Sequence, residues 1–206
     1  MDKARAPVTE KHVDYVGAKM GMWLFLFTEM LLFGGLFLLY SLYRTKYAVD
    51  FHRSAAGLDI YLGTANTAVL LTSSLTMAVS VSAMKKAEKR LSFLCQAITI
   101  ALGLVFLVNK YIEWSVHFGH GLYPDSPELL SKSRGEIIFF SLYYVMTGIH
   151  GLHVLAGVAV IACVLVLSLR QAITSGDFVK LENAGLYWHF VDIVWIYLFP
   201  LFYLIT

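Results

Sequence analysis

Five apolar runs joined by short charged connections decide most of what this chain can fold into. Residues 61–84 carry no charged side chain, and residues 137–169 carry none over 33 positions. The runs at 20–43, 91–114 and 184–205 are interrupted only by Glu29, by Lys110 with Glu113, and by Asp192 respectively. A helix rising about 1.5 Å per residue needs about 20 mostly apolar residues to cross about 30 Å of hydrocarbon. Each run meets that length, and the fourth is long enough to tilt or protrude. Hydrocarbon offers backbone groups no water to bond, so each run is expected to be helical. The expected fold is therefore an all-α integral membrane protein, a bundle of five transmembrane helices forming one membrane domain over residues 1–206.

Composition agrees. Hydrophobic residues make up 58% of the chain, against about 45–50% in soluble domains, and the mean hydropathy is +0.68. A net charge of +2 without a long basic run argues against nucleic acid as a partner. KKAEKR (85–90) reads instead as a loop at the membrane surface. Cys95 and Cys163 fall inside apolar runs, which offers neither a disulfide framework nor zinc spacing; both are expected to be inert core residues. The opening stretch MDKARAPVTEKHVDYVGAK lacks the short apolar segment of a signal peptide, so the first span is expected to direct insertion.

Lysine and arginine in short loops set orientation. One side holds Lys3, Arg5, Lys11, Lys19, Lys85, Lys86, Lys89, Arg90, Arg170 and Lys180; the other holds Arg44, Lys46, Arg53, Lys132 and Arg134. The N-terminus is expected in the cytoplasm. The longest connection, residues 115–136, contains Gly119, Gly121, Pro124 and Pro127 and reads as a structured outer loop. Ser133 and Glu136 have the spacing of a capping box before the fourth span, and Lys110 with Glu113 carries the third span out to the interface.

An ionisable residue within a span costs about 2.5–3.5 kcal/mol on insertion scales, so each asks for a reason. Glu29 and Asp192 both lie about eight residues, or about 12 Å, into their runs. Hydrocarbon penalises a bare charge, so Glu29 is expected to be protonated, either as a hydrogen-bond donor within the bundle or as part of a proton route. His189 and Asp192, three residues apart, read either as a proton pair or as a fixed hydrogen bond. TGIHGLHV (147–154) places His150 and His153 on one helical face. Haem or metal ligation would need histidine at matching depth on a second helix. His189 is the only intramembrane candidate and lies nearer its helix end, so the reading favours structural hydrogen bonding for all three, with Gly148, Gly151 and Gly157 allowing close helix approach. Asn66, Thr67, Ser73 and Ser74 read as polar glue between helices. The aromatic residues are expected mainly at lipid-facing and interfacial positions. Arg170, closing the fourth span, either snorkels or binds a lipid phosphate. No catalytic or metal set emerges, and residue chemistry alone does not name the task.

Four ordered segments do more: WLFLFTEMLLFGGLF (23–37), NTAVLLTSSLT (66–76), TGIHGLHVLAG (147–157) and YWHFVDIVWI (187–196). Together the chain resembles the subunit III family of haem–copper cytochrome c oxidases, from about residue 20 to 203. The common form of that family has seven helices. This chain matches the last five and resembles the short bacterial form, whose lipid cleft would need a wall from another subunit. The five-helix pattern is shared with quinol-oxidase and nitric-oxide-reductase relatives.

The resemblance implies a non-catalytic subunit of a proton-pumping oxidase of aerobic respiration, in the bacterial inner membrane. Haem and copper would sit in partner subunits. Subunit I would be the main contact, within the oxidase and any larger respiratory supercomplex. Subunit III would stabilise subunit I, hold structural phospholipids and support proton uptake. It also places Glu29 at the family's carbodiimide-reactive glutamate, and Arg170 at the arginine that meets lipid phosphate. His150, His153, His189 and Asp192 match motif positions. A self-contained proton channel using Glu29 and Asp192 is the alternative of a different class; its odd span count fits a repeat-built transporter poorly.

Overall fold

A computed structural model describes residues 15–174 and 177–205. Lys3, Arg5 and Lys11, used above for orientation, lie outside the described residues, as does Thr206. Five long helices form: α1 (Tyr15–Lys46), α3 (Ile60–Lys85), α4 (Lys89–Gly119), α6 (Arg134–Leu169) and α7 (Val179–Tyr203). Two short ones, α2 (Ala48–Ala55) and α5 (Pro127–Leu130), lie in the connections after α1 and α4. Each long helix runs past the apolar stretch that announces it, because polar and charged residues extend the helix into the interface.

Helix starts have local causes. The Asp59 carboxylate accepts from the N–H groups of Tyr61 and Leu62 and begins α3. Ser133 and Glu136 form the reciprocal capping box that begins α6. Gly121 turns the chain after α4 at φ +66°, where a Cβ would collide with the Glu128 side chain.

The helices alternate in direction. Glu182 near the start of α7 pairs with Lys19 of α1 at 3.0 Å and with Lys85 at the end of α3 at 3.2 Å. The C-terminal ends of α1 and α7 meet at the opposite end, where Tyr40 donates to the Leu201 carbonyl and Ile205 O lies 3.2 Å from His52 Nδ1. The first group marks the basic end of the bundle. α7 packs against α1, α3 and α6, and α4 closes the bundle against α3 and α6. Of the apolar stretch of α7, 50% is buried, against 11% for α1, so α1 stands outermost.

Trp188 fills the centre. Its ring wedges between Gly103 of α4 and Gly157 of α6, where Cβ atoms would approach it to 2.7 and 2.8 Å, and Nε1 donates to Ser73 Oγ of α3 at 3.0 Å. Close approach through small residues and interhelical hydrogen bonds is how helices associate where lipid is as apolar as leucine. Asn66 accepts from Asn109, and Thr67 accepts from Trp195, in the same manner.

Two expectations need correction. Many aromatic residues are buried rather than lipid-facing: Tyr40, Phe51, Phe139, Tyr143 and Phe202 pack edge to face at 5.1–5.6 Å between ring centres. Between helices in lipid, shape and ring electrostatics supply attraction that apolar surface alone does not. Cys95 is buried as expected, but Cys163 is exposed on the outer face of α6.

Candidate functional site

Four sets of histidine, acidic and lysine side chains within the bundle bear on function. The first joins α1 to α6. Glu29 is fourteen residues from Tyr15, or about 21 Å along α1, and His153 is sixteen residues from Leu169, or about 24 Å along α6. The two meet at matching depth, with Glu29 Oε2 2.9 Å from His153 Nε2. His153 Nδ1 lies 2.8 Å from the Ile149 carbonyl. A carbonyl only accepts, so Nδ1 carries a hydrogen. That leaves two arrangements for the contact: a carboxyl donating to a neutral ring, or a carboxylate accepting from an imidazolium. Both are neutral overall, and both place one proton between the partners. The side chains are 16% and 17% exposed, so the pair sits at the margin of the bundle, beside Phe33 and Tyr187.

The second group joins α3 to α7. His189 Nδ1 is 2.7 Å from Ser74 Oγ. Asp192 is 2% exposed; Ser74 lies beside it, yet neither carboxyl oxygen has a hydrogen bond of ordinary geometry.

His150 stands alone. It is fully buried, neither ring nitrogen has a partner, and the ring lies between Phe106, edge-on at 5.5 Å, and Trp195, stacked at 5.3 Å. The expected hydrogen bond across the interface is replaced by aromatic packing, because the neighbouring helices present rings at this level.

The fourth group was not visible as a site in the sequence. Lys110 and Glu113, expected to extend α4 out to the interface, are 7% and 4% exposed and face inward. Lys110 Nζ donates to Glu113 at 3.0 Å, to Tyr143 at 3.1 Å and to Tyr203 at 2.8 Å. The Glu113 carboxylate also accepts from Tyr143 at 2.6 Å and from Tyr203. All three ammonium hydrogens are used, and α4, α6 and α7 are tied together. The signal lay in the spacing: Lys110 and Glu113 share a helical face with Phe106 and His117, and that whole face is buried.

Arg170 caps α6 at the basic end and is exposed. Among the described residues, no three histidine, cysteine, aspartate or glutamate side chains converge as metal ligands. The geometry therefore offers one shared proton at the bundle margin, one buried acid with only Ser74 beside it among the described residues, and one saturated ion pair.

Comparison with known proteins is consistent with this picture. The family model for cytochrome c oxidase subunit III matches residues 6–206. Cytochrome c oxidase subunit 3 of Thermostichus vulcanus is 34% identical, covering 95% of this chain and 90% of that one. The probable quinol oxidase subunit 3 proteins of Staphylococcus haemolyticus and Staphylococcus saprophyticus are each 32% identical, covering 91% of this chain and 88% of theirs. The chain belongs to the cytochrome c oxidase subunit III family.

Proposed function

We propose that this protein is the third subunit of a haem–copper terminal oxidase and carries no redox centre of its own. The observation behind the reading is the family match over residues 6–206. Relatives named for cytochrome c and for quinol oxidases align over the same bundle, as expected of a subunit that does not touch the electron donor. Haem, copper and oxygen reduction belong to partner subunits, subunit I foremost, and this chain stabilises that assembly. By the positive-inside rule the basic end faces the cytoplasm of a bacterial inner membrane.

Two properties of the bundle fit supporting roles. Arg170 presents a planar fork of donors suited to a phospholipid phosphate at the membrane surface. An apolar groove of about 620 Å³ runs between α1 and α6, lined by Phe25, Ala156, Val160 and Cys163 with Lys180 near the basic end, and suits an acyl chain. The proton between Glu29 and His153, and the buried Asp192, supply groups that take up and release protons on the cytoplasmic side of the oxidase.

Extraction of the tagged chain in mild detergent tests the reading. It should co-elute with haem-bearing partners, and after separation from them it should show no Soret band. A haem-free oligomer as the native form would contradict it.

A further inference from the structure

Among the described residues, Asp192 is the one buried acid whose oxygens have no hydrogen bond of ordinary geometry, with the Ser74 hydroxyl beside it. A buried polar group normally finds a partner, and one left without asks for an explanation beyond packing. Glu113, equally buried, has three donors. The surroundings of Asp192 supply a path instead of a cage. A fissure of about 430 Å³ opens at the basic end and is lined by Lys19, Trp23, Ala78, Val81, Glu182 and His189. Its mouth carries Lys19 of α1 and Lys85 of α3, both paired with Glu182 of α7, to which Tyr15 also donates at 2.8 Å. Seven residues further along α7, about 10 Å deeper, His189 forms part of its wall, with Ser74 in contact with the ring and Asp192 beside Ser74.

We propose that Asp192 is a proton-holding site filled from the basic end through this fissure, with His189 receiving the proton and Ser74 passing it on. The proposal rests on the reading that the chain takes part in proton uptake. A hydroxyl both donates and accepts. When an imidazolium Nδ1–H gives its proton to Ser74 Oγ, the Ser74 hydroxyl proton passes to the Asp192 carboxylate. His189 loses one proton, Asp192 gains one, and rotation of the hydroxyl restores Ser74.

Infrared spectroscopy of the full chain in its native assembly tests the route. The carboxyl C=O band of Asp192 is assigned by its loss in Asp192→Asn. It should be present at neutral pH and shift on transfer to D2O. Ser74→Ala should slow that shift by about tenfold or more, Ser74→Thr should restore it, and His189→Phe should slow it as Ser74→Ala does. Absence of a protonated Asp192 band, or equally fast exchange in Ser74→Ala and His189→Phe, would overturn the proposal. Equal exchange in a preparation that retains its haem-bearing partners removes the relay and leaves the oxidase assignment intact. A wild-type chain without such partners removes the assignment, whatever the exchange shows.

Discussion

The Lys110–Glu113 cluster and the Glu29–His153 pair both bury charge-bearing groups between helices, and they do so in opposite ways. Lys110 spends all three donors on Glu113, Tyr143 and Tyr203, and the cluster ties three helices together at the end opposite the basic rim. Glu29 and His153 share one contact between two helices, 16% and 17% exposed. In the first, neither charged member leaves without stranding the other. In the second, one proton between two partners keeps the contact neutral, so either side tolerates a neutral substitute. Saturation makes a fixture; a single shared proton at the margin makes a site that can exchange.

The largest effect should come from breaking the saturated cluster. Lys110→Met leaves the Glu113 carboxylate buried without its cation, and the expected loss is about 3–5 kcal/mol, seen as a lowered thermal midpoint and poor assembly in detergent. Adding Glu113→Leu to that variant should recover most of the loss, since apolar replacement of both partners of a buried pair is often neutral. No recovery in the double variant would mean that the cluster does more than hold helices.

Next comes the packing at the centre of the bundle. A side chain at Gly157 must displace the Trp188 ring, so Gly157→Val should cost about 1–3 kcal/mol of stability. It should weaken the α6–α7 contact while leaving the Glu29 pairing measurable.

How much of this was legible in the sequence follows from what each residue needs to be understood. The five helices follow from residue type and run length. The capping box at Ser133 and Glu136 is equally local, and the structure contains it. Glu29 stood out as a lone acid in an apolar run, but its partner lies 124 positions away on α6, and helical rise from an uncertain span boundary did not fix its depth closely enough to find it. Lys110 and Glu113 sat where an apolar run fades into polar sequence, which is how a helix leaving the membrane also reads. Only the packing of α6 and α7 across that face turns it into an interior. His150 shows the reverse: its spacing from His153 suggested matching roles, yet one ring meets a carboxyl and the other meets Phe106 and Trp195.

The marginal pair should respond weakly. His153→Phe removes the partner and leaves Glu29 partly buried without its hydrogen bond, an expected cost of about 1–2 kcal/mol in the thermal midpoint of the complex. Glu29→Gln should fall below about 1 kcal/mol, because the amide can donate to a neutral His153 Nε2 or accept from a protonated one. A large loss of steady-state turnover in a fully assembled Glu29→Gln complex would show that the proton itself, and not the contact, is what the site contributes. Arg170→Ala should leave the stability of both regions unchanged while lowering the phospholipid retained by the purified complex, read by native mass spectrometry.

The contrast between a locked acid and an exchangeable one is tested most directly by a hydrophobic carbodiimide, which reaches protonated carboxyls from the lipid phase. Peptide mass analysis of the treated complex should find modification at Glu29, lost in Glu29→Gln, and none at Glu113. Modification at Glu113 with Glu29 untouched would contradict it.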